Sequence, residues 1–192
     1  MFLHDGRPLG QEVRWAAFPW PESRAGNEKN ILAALRAVLA PNPKDWSDAG
    51  TMVRCAVGND HRGSLYPAAL AMVDILLFIA REYPGEPRCV ALSVVADWWG
   101  GYEPEHGFES FAEAGGATVA VIPAIVQKMT DAIPLLQTIA GVGSDPTAAA
   151  LARDLLTVIP LGWGNAMDGG VVQHWGGQVA EDGSVRFPGD RA

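Results

Sequence analysis

Cys55 and Cys89 are the only two cysteines in this chain of 192 residues, too few for a disulfide framework or a cysteine-rich zinc centre. Both lie in apolar helical patterns, where a thiol behaves as a small hydrophobe, so they are expected to be buried and unpaired. Basic charge is short as well: 14 Lys and Arg stand against 22 Asp and Glu, a net charge of −8. A surface that displaces counterions from phosphates must be basic, which excludes nucleic acid as the main ligand. Long apolar runs are missing too. The most apolar stretch, Leu65 to Ala80, is broken by Pro67 and Asp74 and is too short to span a bilayer. The first ten residues hold Asp5, Arg7 and Pro8 where an export leader needs apolar side chains. The expectation is a soluble, cytoplasmic protein with no membrane partner.

The residue patterns that carry catalysis are equally scarce. The four histidines, His4, His61, His106 and His174, form no HxxxH or HxxE pair on a helix, so no metal site is expected. Ser64 follows a glycine outside any strand-to-helix GxSxG setting, and neither cysteine has a histidine that the sequence would place beside it. The glycine-rich run Gly162 to Gly170 has no lysine to meet a phosphate. His106 stands among Glu103, Glu105 and Glu109, but carboxylates on a glycine-rich connector are more often solvated than paired as acid and base. No catalytic, cofactor-binding or metal-binding residue is assigned, and no cofactor is expected.

What the chain does have is helical periodicity. Residues 1–26, with Pro8, Pro19 and Pro21, read as an irregular lead-in whose Trp15, Phe18 and Trp20 pack across the first helices. From Asn27, Ile31, Leu32, Leu35, Val38 and Leu39 share a face, with Asn27 or Asn30 as cap and Pro41 and Pro43 as terminators. A second helix begins near Asp45, carries Trp46, Ala49, Met52, Val53 and Ala56 inward, and stops at Gly58. A third, from about Ser64 to Tyr83, is apolar nearly all round and is expected at the centre of the domain. A fourth follows Pro87 and ends at Gly100 and Gly101. After a looser segment, Tyr102 to Gly116, a fifth helical region runs from about Ala117 to Ala140, with Pro134 kinking or dividing it. Ser144 or Asp145 caps a sixth, with Pro146 in its first turn and Pro160 at its end. Period-two alternation then predicts a β-hairpin from Val171 to Phe187, turning at Asp182-Gly183.

Short-looped helix pairs of about 40 residues predict a mainly α fold. The expected form is an α-α superhelix of about three antiparallel pairs, HEAT-like, with a small C-terminal β-hairpin. One domain covers 1–192, divided into lead-in 1–26, helical repeats 27–160 and hairpin 171–187. A globular bundle of the same six helices is the alternative.

The stretch NDHRGSLYPAALAMVDILLFIA, Asn59 to Ala80, resembles a pattern in small bacterial HEAT-like proteins. In these a glycine-rich turn precedes an aromatic-Pro-Ala-Ala segment, and a later helix ends in a phrase like Asp97-Trp98-Trp99. The closing WGGQVAEDGSVRFPG, Trp175 to Gly189, is similar to their terminal hairpin. Some such proteins are similar to immunity proteins, which neutralise a polymorphic toxin by binding it. The resemblance implies a fold and a binding role, and it brings no catalytic residue with it.

Between Asp97 and Glu113, aromatic and acidic residues concentrate. Asp97, Trp99, Tyr102, Glu103, Glu105 and Glu109 are the candidate partner-binding residues, with Trp99 or Tyr102 as aromatic anchor among carboxylates. The alternative is that these aromatics cover the neighbouring helices. The function expected is non-enzymatic binding of a basic protein, for example a cognate toxin. The rival is an enzyme or small-ligand protein with a pocket on the concave helical face near His61, Tyr66 and Trp98. A scaffold module without a dedicated ligand is a third reading.

Overall fold

The computed structural model describes residues 9–24, 27–40 and 46–164, together with two dipeptide strands near the C-terminus. After 3-10 turns at Trp15–Ala17 and Glu22–Arg24, α1 (Glu28–Val38) and α2 (Trp46–Val57) form an antiparallel pair. Two short strands, β1 (Gly58–Asn59) and β2 (Ser64–Leu65), lead to α3 (Ala69–Glu82) and α4 (Glu86–Gly101). The chain then runs through β3 (Glu103–Pro104), β4 (Ser110–Ala112) and β5 (Thr118–Ala120) into α5 (Val121–Asp131), α6 (Ile133–Ala140) and α7 (Pro146–Val158). No helix among the described residues is long and apolar enough to cross a membrane.

α4 organises the packing. Every residue from Arg88 to Ala96 is buried, as are Trp98 and Trp99, and the helix contacts α1, α2, α3 and α7. α3, expected in that central place, presents Asp74 to solvent and leaves Ala71, Leu77 and Phe78 half-buried. The reason is volume as much as polarity: the buried run of α4 consists largely of Ala, Val, Cys and Ser, small side chains that let four neighbours approach one axis.

The expected superhelix is therefore corrected. The helices do not follow one another as an unbroken series of pairs: strands stand between α2 and α3 and again between α4 and α5. Two sheets in the middle of the chain further interrupt the helical series. In the first, β1 pairs antiparallel with β2, and β2 pairs parallel with β3, Ser64 opposite Glu103. Gly58 is required in this sheet, because a Cβ there would lie 2.3 Å from the Ser64 carbonyl oxygen. In the second, β4 and β5 form a hairpin with Phe111 opposite Val119. The segment expected to be a loose connector is thus strand in part, and Ser64-Leu65, expected to open a helix, is strand as well. Elements of two or three residues are too short to show an alternating pattern. The expected Val171–Phe187 hairpin is not an element of this architecture. There only the dipeptides β6 (Gln178–Val179) and β7 (Val185–Arg186) pair, and the rest lies outside the described residues.

Other expectations fare differently. Pro134 divides the fifth helical region into α5 and α6 at Ala132. Met52, expected inward, is 41% exposed. Asn27 is at the start of α1, yet its side chain makes no cap; its amide donates sideways to the Ala56 carbonyl and joins α1 to α2. Cys55 is half-buried and Cys89 buried, and both are free.

Polar groups at the buried corner between α3, α4 and α7 satisfy one another. Arg88 Nε donates to the Ala80 carbonyl (2.6 Å) and Nη2 to the Arg81 carbonyl (3.2 Å), occupying acceptors that the end of α3 leaves open. Asp145 accepts from the Ala148 N–H (3.2 Å) as cap of α7 and from the Gly85 N–H (3.1 Å), with Arg88 Nη1 3.8 Å away. Asp145→Ala should lower stability by about 1–3 kcal/mol, from the lost cap and the Arg88 charge left without its counterion. Asp145→Asn, which keeps an acceptor for the helix, should recover part of it. Urea denaturation of the two variants checks this order.

Candidate functional site

The acidic stretch begins in the last turns of α4 and is shaped by how that buried helix ends. Trp98 and Trp99 are each 1% exposed. Trp99 packs against Trp163, with ring centroids 5.3 Å apart, and the Trp163 indole N–H donates to the Tyr102 carbonyl (2.7 Å). Neither the Trp98 nor the Trp99 indole N–H meets an acceptor among the described residues. Trp99 is a core residue and cannot serve as the exposed anchor.

Asp97, between these and the solvent, is half-buried and accepts from Arg54 Nη1 of α2 (2.7 Å). The same guanidinium donates through Nε to Asp60 (2.8 Å) and through Nη2 to the Thr51 hydroxyl (2.8 Å). The Tyr102 hydroxyl donates to Asp60. One arginine thus holds two carboxylates and fastens α2, the 3-10 turn Asp60–Arg62 and the end of α4 together. Burial pushes the Asp97 carboxyl up to about 6; Arg54 pulls it down, and the neighbouring Asp60 adds to the rise. Burial, followed by the hydrogen bond to Asp60, raises the Tyr102 hydroxyl well above its usual range. This phenol is a fixed donor, not a proton shuttle at neutral pH.

The remaining carboxylates divide. Glu105 accepts from the Ser64 hydroxyl and from Arg62 Nη1 (3.3 Å) and is absorbed into the β2–β3 sheet. Glu103 belongs to β3 through its backbone, whose N–H donates to the Gly63 carbonyl, while its side chain is exposed. Glu109 is exposed, accepts from the Gly107 N–H (3.0 Å) and lies 3.6 Å from His106 Nδ1. The Gly107 N–H, with smaller help from its own N–H and from His106, holds its carboxyl below the usual value. Of the six candidate residues, then, Asp97, Tyr102 and Glu105 are engaged inside the molecule, Trp99 is core, and Glu103 and Glu109 face outward.

Sequence reasoning missed the hairpin that follows. Glu113 N–H donates to the Ala117 carbonyl, and Gly116 closes the turn at φ +81°. The strands are too short for a period to show, and the one local signal is Gly115-Gly116 before the β-branched Thr118 and Val119. The hairpin adds a third outward carboxylate, Glu113. Its Phe111 packs on Phe18 of the lead-in (5.6 Å), while Trp20 meets Tyr66 and Tyr66 meets Phe108 at 6.0 and 6.1 Å. An open groove of about 440 Å³ lies between Ala16–Pro19 and Gly107–Ala112.

Tyr66 and Trp98, expected to line a concave pocket with His61, are buried, while His61 is exposed, so these three do not converge on an open cleft. Cys89 is pushed up to about 12 by burial, with Asp145 adding to the effect, so its thiol stays protonated. Among the described residues no group of three or more His, Cys, Asp and Glu is arranged to hold a metal ion. Comparison of the chain with protein-family models, with curated proteins and with solved structures gives no match.

The Asp97 carboxyl binds a proton more tightly in the folded chain than in the unfolded one. Its contribution to stability should therefore fall as pH rises from about 4 to about 6, where only the unfolded state has released the proton. Urea midpoints of the protein and of Asp97→Asn, measured near both ends of that window, should show the variant gaining relative to the parent on going to higher pH. Parallel shifts in the two would contradict the assignment.

Proposed function

We propose that this protein is a non-enzymatic binding module that receives a basic protein partner on the acidic connector between α4 and α5, as an immunity protein receives a toxin. The observation that carries the reading is a charge pattern. From Cys89 to Gln127 there is no Lys or Arg at all, and Glu103, Glu109 and Glu113 in that span are exposed. The carboxylates that the fold needs for itself, Asp97 and Glu105, have arginine partners from outside the span, Arg54 and Arg62. Those that face water have no arginine or lysine partner among the described residues.

The surface is built for steering and for polar contact, with Tyr102 only half-buried beside it. The resemblance of Asn59 to Ala80 to a pattern in small bacterial proteins, some of them similar to immunity proteins, supports the same kind of partner. Titration against the product of the neighbouring reading frame tests it. The triple variant Glu103→Lys, Glu109→Lys, Glu113→Lys should bind at least about tenfold more weakly, chiefly through slower association, with a flattened salt dependence. Unchanged affinity and salt dependence in the triple variant would remove the connector from the interface.

A further inference from the structure

The hairpin β4–β5 is two strands wide, so β4 has an edge with no strand beside it among the described residues. Which backbone groups that edge presents follows from the register. The Val121 N–H donates to the Glu109 carbonyl, and the Glu113 N–H donates to the Ala117 carbonyl. With Phe111 opposite Val119, residues 109, 111 and 113 therefore direct their amides toward β5. Ser110 and Ala112 direct theirs the other way. Neither has a backbone or side-chain hydrogen bond on that side among the described residues. Two N–H groups and two carbonyls thus stand open along an edge that borders the groove lined by Phe18, Phe108 and Phe111.

Period two sets the side chains. Glu109, Phe111 and Glu113 share one face, the two carboxylates exposed and about 13 Å apart along the strand, the ring between them covering the lead-in. We infer that this edge takes an extended segment of a basic protein by strand addition, and that the segment carries an apolar residue with Lys or Arg two positions to either side. Its backbone pairs with Ser110 and Ala112, its apolar residue lies across from Phe111, and its cations lie across from Glu109 and Glu113. A second copy of this chain fits less well, since β4 against β4 brings glutamates opposite glutamates. This inference rests on the proposed basic partner and names the form in which the partner is recognised.

The test uses the full chain and the fluorescent heptapeptide Thr-Lys-Thr-Val-Thr-Lys-Thr, blocked at both ends, followed by anisotropy. Ala112→Pro removes a donor that faces the groove and leaves the β4–β5 bonds in place, because residue 112 makes none of them. Binding by the parent chain, a loss of at least about tenfold in Ala112→Pro, and no binding of a peptide with Pro on both sides of Val are expected. The proline peptide probes the unmodified protein, so its result stands even where the protein variant misfolds. No binding of the first peptide, equal binding of the proline peptide, or equal binding by a folded Ala112→Pro chain each overturns strand addition. So does a dimer of the parent chain that Ala112→Pro dissolves, for the edge would then belong to a second copy. A basic partner lost on charge reversal of Glu103, Glu109 and Glu113 but kept by Ala112→Pro would leave the proposed function standing and remove this inference alone.

Discussion

A helix buried on every side along its middle must have the charged groups that flank that stretch paired, and α4 imposes that requirement on its neighbours. Its first turn brings Arg88 to the carbonyls that α3 leaves open, and Asp145 comes from the far side to balance the charge and to start α7. Its last turns bring Asp97 to Arg54, whose second carboxylate, Asp60, anchors Tyr102. The apolar length of α4 supplies the driving force, and the two arginines determine which neighbours it can accept. An unpaired charge beside the buried stretch is costly, so these ion pairs help to fix the register of α4 against its neighbours.

The same requirement sorts the acidic residues. In a protein with excess negative charge, carboxylates close to the core are acceptable only with a cation or several donors. Arg54 and Arg62 serve those positions, and the segment itself contributes no positive charge. The outward glutamates have no such cation: Glu109 meets only the Gly107 N–H and His106 of its own connector. A fold that spends its arginines internally thus presents an anionic face as a by-product, and the connector is where that face coincides with exposed backbone.

Helical content was readable because residues such as Ile31, Leu35 and Val38, or Leu151 and Leu155, repeat at a spacing that only a helix places on one side. Pro134 and Asp145 marked boundaries by local chemistry that tertiary context did not override. The arrangement of the helices was not readable, since nothing local tells whether a pair packs only on its neighbour or shares a central helix. Ala91, Val94 and Val95 look like one face of an ordinary amphipathic helix until their small size is weighed against how many partners they must admit. The candidate site was half legible. Composition drew attention to Asp97 through Glu113, but which of these side chains are spoken for depends on Arg54 and Arg62, more than 30 positions upstream. For the tandem tryptophans the structure follows the alternative reading, in which both cover neighbouring helices, and local spacing did not decide between the two.

The aromatic seam joining Phe18 to Phe111 and Trp20 to Tyr66 and Phe108 links the start of the described chain to its middle. Helix pairs close short loops and gain their contacts at little entropic cost, whereas this seam closes loops that contain most of the first half of the molecule. The lead-in therefore acts as a clasp across distant parts of the chain, and whatever holds it shut also holds the floor of the groove in place.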